Sequence, residues 1–277
     1  MIFKDRGIEI KTREQILAMR TAGLVVGRTL ELLRGAVQAG ITTGELDAIA
    51  EDNIRSSGAT PSFKGYHGFT GSICASVNDE IVHGIPGDRV LADGDLISID
   101  CGAIVDGWHG DAAITVPVGG PDAVADELLD LARICEESMW RGFAAARLGG
   151  RLSDISAAVE AHVRANSPYG IVEDFVGHGI GSAMHQPPNV PNFGRPGKGP
   201  KLVEGLALAV EPMLTLGKQE NHTLEDDWTV VTDDGEPAAH TEHTFTLTPQ
   251  GPWVLTALDG GEAKLAELGV TFGPLAD

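Results

Sequence analysis

Two aspartates, two glutamates and one histidine stand in settings that bring side chains together or make them costly to leave unpaired. Asp106-Gly107, within DLISIDCGAIVDGWHGDAAITV, is a two-residue hairpin signal between apolar-rich runs. With that turn, Val105 faces Trp108 and Gly102 faces Asp111. Asp100, two residues from Gly102, shares its face and becomes a diagonal neighbour of Asp111, unless a bulge shifts the count. Two carboxylates this close repel unless a cation or a shared proton separates them. His178 lies between glycines in VGHGIG, where another backbone can approach closely. Glu211 ends the apolar run LALAVEPM, where Pro212 keeps the chain extended and an unpaired buried carboxylate is costly. Glu242 lies in HTEHTFTLT, on the side of Thr244 and Thr246.

Each residue alone has a plain alternative: a hydrogen-bonded strand aspartate, a loop or core histidine, a polar strand face. As a set they are oxygen-rich and suit Mn, Fe or Co better than a thiolate zinc site. Four carboxylates balance the four positive charges of two divalent ions. A water shared between such ions would be acidified enough to serve as hydroxide near neutral pH, which is hydrolase chemistry.

Helices and strands must carry these groups. Thr12 and Gln15 have capping-box spacing ahead of Ile16, Leu17, Leu24, Val25 and Leu32, predicting a helix that ends near Gly40. Thr42 and Glu45 start a second, stopping around Gly58. From Ser72 to Val118, β-branched runs punctuated by Gly, Pro and Asp read as sheet. Helical spacing returns from Pro121, placed in a first turn, to Arg147, and again from Ser153 to about Asn166. LALAVEPML, WTVVT and EHTFTLT then read as strands. Helices followed by strands thus occur twice, suggesting two halves of similar architecture: about 1–120, about 121–250, and a tail 251–277. No linker separates the halves, so one catalytic domain over 1–277 with a shared cleft is expected.

Composition narrows the class. The chain has 277 residues, 42% of them apolar, with no apolar stretch near the ~20 residues that span a bilayer. Charges within MIFKDRGIEI stand where a signal peptide would need an apolar block. Cys74, Cys101 and Cys135 are odd in number and widely spaced, which fits neither a disulfide framework nor a structural zinc site. A soluble cytoplasmic protein is therefore expected. Forty acidic against twenty basic residues, a formal charge of −20, disfavour DNA and anionic membranes as partners.

The motifs GYHGF from Gly65, SVNDEIVHGIP from Ser76, DGDLISIDCG from Asp93, DGWHGD from Asp106, GHGIG from Gly177, AVEPM from Ala209 and EHT from Glu242 resemble, in order and spacing, the type I methionine aminopeptidases. The resemblance covers nearly the whole chain. It implies an α+β pita-bread fold: two pseudo-symmetric halves, with antiparallel sheet flanked by helices and a dinuclear metal cleft between them. It also implies that Asp100, Asp111, His178, Glu211 and Glu242 bind two divalent metal ions (Fe, Mn or Co, with Zn a further candidate), and that Glu211 relays the proton of the attacking water. By the same resemblance His83 lies near the substrate amine, and His185 polarises the scissile carbonyl. Tyr66, Phe69, Cys74, Met184 and Trp228 would then enclose the methionine side chain. The chain departs from common relatives at Phe63, at Met184 and in HQPPN after His185.

The implied activity is removal of the initiator methionine from nascent polypeptides with a small second residue, by a monomer. The basic loop Gly194 to Lys201 is the one candidate for a transient ribosome contact, and it reads more simply as a solvated loop. Two alternatives share the fold: a proline-specific peptidase such as a prolidase or aminopeptidase P, and a non-catalytic pita-bread binding protein. The first usually carries an added N-terminal domain; the second tends to lose metal ligands.

Overall fold

The computed structural model describes residues 7–275. Residues 1–6 and 276–277, which bear on the leader reading and on the end of the tail, lie outside the described residues. Both predicted capping boxes form. The Thr12 side chain accepts from Gln15 N while Gln15 accepts from Thr12 N, opening α1 (Arg13–Ala36); Thr42 and Glu45 do the same for α2 (Thr43–Ser56). Helix α1 stops short of Gly40 because Val37 takes extended backbone.

The next helix begins later than its spacing suggests. Pro121–Ala123 close a separate 3-10 turn, and Val124 and Ala125 are extended, so α3 runs Asp126–Ala145. Proline's fixed φ suits either kind of first turn and does not choose between them. Helix α4 spans Leu152–Asn166, and α5, Glu262–Glu267, lies in the tail.

Six strands of one antiparallel sheet matter for the site: β1 (Leu96–Val105), β2 (Trp108–Pro117), β3 (Gly177–Gly179), β4 (Gln186–Val190), β5 (Ala207–Val210) and β6 (Glu242–Thr248), in the order β1-β2-β6-β5-β3-β4. Asp106 (φ 51°) and Gly107 (φ 82°) make the hairpin turn. Positive φ at both central positions is the geometry that matches strand twist, and an Asp-Gly pair adopts it readily. No bulge intervenes, so Val105 pairs with Trp108 and Gly102 with Asp111, as the turn predicts.

One face of this sheet is apolar. Ile97, Ile99 and Cys101 of β1 and Ala112, Ile114 and Val116 of β2 pack under Val26, Leu30, Leu33 and Leu46 of α1 and α2. Leu208, Val210, Phe245 and Leu247 pack under Met139, Phe143, Ile155 and Val159 of α3 and α4. Each half thus places two helices on the same sheet. Helix α1 reaches the hairpin closely because Gly23 meets Gly110, where a Cβ would stand 2.7 Å from the Gly23 nitrogen.

Two predicted strands are shorter or broken. LALAVEPML changes sheets at Glu211-Pro212: β5 belongs to the large sheet, whereas Met213–Thr215 pairs with Ala238–His240 and Gly170–Ile171. Within WTVVT only Val230–Thr232 is strand, in a small sheet with Glu80–Val82 and Asn221–Thr223, and Trp228 precedes it. Proline cannot donate to a ladder, so the break at Pro212 is where the change of sheet is cheapest.

Candidate metal centre and substrate cleft

Strand alternation puts the predicted carboxylates on the face opposite the helices. Asp100 pairs with Ala113, and Ala113 pairs in turn with Glu242. Asp111 stands two residues from Ala113 on the same face, and His178 lies opposite Ala209, two residues before Glu211. The row is locked by Thr244, whose hydroxyl accepts from Asp111 N (3.1 Å) and donates to Asp111 O (2.8 Å). His178 Nε2 lies 3.4 Å from Glu211 Oε1 and 4.0 Å from Asp111 Oδ2. Candidate ligand atoms of Asp111, His178 and Glu242 all lie within 4.8 Å of one another.

His240 also enters this group, and sequence reasoning passed it over. Its Nε2 is 3.6 Å from Glu211 Oε2, and it joins Glu211 and Glu242 in a second set of potential ligand atoms within 4.8 Å. Its backbone N donates to Ser98 Oγ and Thr115 Oγ1, each at 3.1 Å, which fixes the chain where it passes from the small sheet into β6. The available signal was the i, i+2 spacing of His240 and Glu242, which shares a face in extended chain.

The residues fit divalent metal. Asp100 Oδ1, Asp111 Oδ1, Glu242 Oε1 and His240 Nε2 are buried without a hydrogen-bond partner among the described residues. Buried polar atoms are seldom left so, and clustered acceptors of this kind are satisfied together by a cation. Burial pushes the carboxyl pKa values of Asp100, Asp111, Glu211 and Glu242 up, with neighbouring carboxylates adding to it for Asp100, Asp111 and Glu242. It pushes His178 down to about 3, helped by the adjacent His185. His178 Nδ1 is 3.0 Å from the Gly179 carbonyl oxygen. A carbonyl only accepts, so Nδ1 carries the proton and the Nε2 lone pair faces the carboxylates, the usual orientation of a ligating imidazole.

Beside this cluster opens a cavity of about 510 Å³. Phe63, Phe69, Cys74 and Met184 form one buried apolar cluster in its wall, with Tyr66, Ile85 and Trp228 packed against it. Phe63, the departure noted from sequence, is thus a wall residue in its own right. Phe69 meets Trp228 edge-on at 5.0 Å. His83 stands between Trp228 (6.1 Å) and Phe175 (5.7 Å) in the left-handed region (φ 62°), and burial takes its pKa down to about 4. His185 lies 4.4 Å from the His178 ring and 2.8 Å, Nδ1 to Oη, from Tyr66. Gln186, Pro187 and Asn189 of the divergent HQPPN segment complete the rim.

Residues 17–249 match metallopeptidase family M24. The chain is 50% identical over 251 residues to the methionine aminopeptidase of Clostridium perfringens, covering 91% of this chain and 99% of that one. It is 50% identical over 246 residues to methionine aminopeptidase 1 of Bacillus subtilis, covering 89% and 98%. Among solved structures, the methionine aminopeptidase of Thermotoga maritima superposes with a TM-score of 0.87 at 36% identity, covering 90% of this chain and 99% of that one. The prolidase of Pyrococcus furiosus, at 21% identity and a TM-score of 0.71 over 89% of this chain and 65% of its own, shares the fold.

An antiparallel sheet flanked by helices, with a carboxylate and imidazole cluster over its open face, defines a metal-dependent peptidase of the pita-bread fold. The chain belongs to metallopeptidase family M24.

Proposed function

We propose that the protein is a methionine aminopeptidase that releases the N-terminal methionine of new polypeptides whose second residue is small. One observation carries this best: a cavity lined by Phe69, Cys74, Met184 and Trp228 opens directly onto the buried carboxylate and imidazole cluster. An unbranched thioether side chain suits such an irregular apolar wall. The 50% identity to methionine aminopeptidases over nine-tenths of the chain supports the same reading.

In this reading Asp100, Asp111, His178, Glu211 and Glu242 hold two divalent ions, of iron, manganese or cobalt. When bound, such ions supply Lewis acidity and an acidified water. Glu211, held through its backbone oxygen by Asn192 Nδ2 at 3.0 Å, takes the proton that the water gives up. His83, kept neutral by burial, accepts a hydrogen bond from the substrate ammonium. His185 donates to the scissile carbonyl as negative charge grows on its oxygen. The whole chain acts as one catalytic domain, since β2 of the first half pairs directly with β6 of the second. Among the described residues no helix is long and apolar enough to cross a membrane, and cytoplasmic action on nascent chains is in keeping with that.

The test is product analysis. Metal-loaded protein incubated with Met-Ala-Ser and with an Ala-Pro peptide should release methionine from the first and leave the second intact; the reverse pattern would make it a proline-specific peptidase.

A further inference from the structure

Met184 and His185 lie on a short segment between β3 and β4, and the chain ahead of α1 grips that segment at both ends. Ser182 N and Ser182 Oγ donate to the two oxygens of the Glu9 carboxylate at 3.0 and 2.6 Å, and Gln186 Nε2 donates to Glu9 Oε2 at 3.0 Å. One carboxylate therefore holds residues i and i+4 of the segment, with Met184 and His185 between them. Gln186 Nε2 also reaches Ser182 Oγ at 3.2 Å, which closes the loop on itself.

Lys11 anchors the carboxylate. Its buried Nζ lies 3.5 Å from Glu9 Oε2, donates to Glu9 O at 3.1 Å and to Gln186 Oε1 at 3.3 Å, while Lys11 N donates to Gly205 O at 2.8 Å. A methyl group at Gly181 would overlap both Glu9 Oε2 and Lys11 Cε, so strap and segment are in direct contact. Burial tends to raise the Glu9 pKa, yet the Ser182 and Gln186 hydrogen bonds and Lys11 bring it down to about 2, so it stays ionised at neutral pH. Both residues also lie outside the stretch 17–249 that matches the family.

We propose that Glu9 is a positioning residue for the cleft: its carboxylate, steadied by Lys11, fixes both ends of the Ser182–Gln186 segment and so sets where Met184 and His185 stand. The kinetic part of this inference rests on the aminopeptidase reading; the structural part does not. Displacing a reacting group's partner by about 1 Å can cost on the order of 100-fold in rate.

The test compares wild type with Glu9→Ala and Glu9→Gln by amide hydrogen exchange, bound metal per chain, and kcat and KM for Met-Ala-Ser. Glu9→Ala should speed exchange at 181–186, leave that of the hairpin 96–117 and the metal content unchanged, and lower kcat on the order of 10- to 100-fold. Glu9→Gln, whose side-chain oxygen still accepts from Ser182, should recover most of both. Unchanged exchange at 181–186 in Glu9→Ala would overturn the inference, as would faster exchange with unaltered kcat and KM. A loss of metal and of hairpin protection together with activity would mean a general scaffold role and overturn it equally. Should wild type itself release no methionine, the functional reading fails and exchange alone decides the clamp.

Discussion

The Tyr66 hydroxyl lies 2.8 Å from His185 Nδ1, and the two rings sit 5.4 Å apart at a 57° tilt. With the hydroxyl donating, Nδ1 is the acceptor and Nε2 must carry the imidazole proton, which is the tautomer that can donate to a carbonyl oxygen. Tyr66 therefore does more than wall the pocket.

Tyr66→Phe keeps the ring and loses this hydrogen bond. A net hydrogen bond is worth about 0.5–1.5 kcal/mol, so kcat for Met-Ala-Ser should fall about 2- to 10-fold, with metal content and KM little changed. An equal fall in metal content would show that the hydroxyl serves the cluster instead.

Asp111 and His178 each approach other members of the cluster within 4.0 Å. Replacing either proposed ligand with Ala should lower metal affinity by at least about 100-fold, since even outer-shell partners cost 10- to 100-fold. Calorimetric titration of metal into the metal-free variants reads this directly. His185→Ala should keep the metal and lose mainly turnover, as expected of a group proposed to donate to the developing oxyanion.

The imidazole of His83 gives a pH dependence with a definite sign. Its folded pKa is lowered from 6.5 to about 4, so between those values the unfolded chain takes up a proton that the folded chain refuses. Its contribution to stability is thus lost as pH falls below about 6.5, by at most about 1.4 kcal/mol per pH unit. Denaturant unfolding of wild type and His83→Asn should show a difference in stability that is constant above pH 7 and moves against wild type as the pH is lowered toward 4. A difference independent of pH would mean that His83 titrates normally.

Specificity follows from the walls of the cavity. Burying a methionine side chain there is worth roughly 1.5–3 kcal/mol, enough for about 10- to 150-fold preference over a stub side chain. Initial rates should therefore be high for Met-Ala and Met-Gly peptides, and low for Ala-Ala. On the proposed preference for a small second residue, Met-Ile and Met-Lys should be poor substrates too. Trp228→Ala should erode the preference for methionine chiefly through KM.

The hairpin half of the site is legible in the sequence because a two-residue Asp-Gly turn fixes register, and register fixes which side chains share a face. Capping boxes likewise place α1 and α2 to within a few residues. His240 is less legible: it ends a short strand in one sheet and Glu242 opens a long strand in another, so their i, i+2 spacing alone does not say that both reach the cleft. The start of α3 is misjudged for a local reason, since Pro121 fits a 3-10 turn as well as a helix. Glu9 and Lys11 pair with each other, but their partners in the cleft segment, Ser182 and Gln186, are more than 170 residues away in the chain, so no spacing signal points to the clamp.

On the proposed function, this cluster releases N-terminal methionine only with divalent metal bound. The direct measurement is an anaerobic titration of metal-free protein with Mn(II), Fe(II) or Co(II), following free methionine released from Met-Ala-Ser after each addition. Methionine release should be absent without metal, rise with the added ion, and be missing in Asp111→Ala at every metal concentration that saturates wild type. Full release of methionine by thoroughly chelated protein, or by Asp111→Ala, would contradict it.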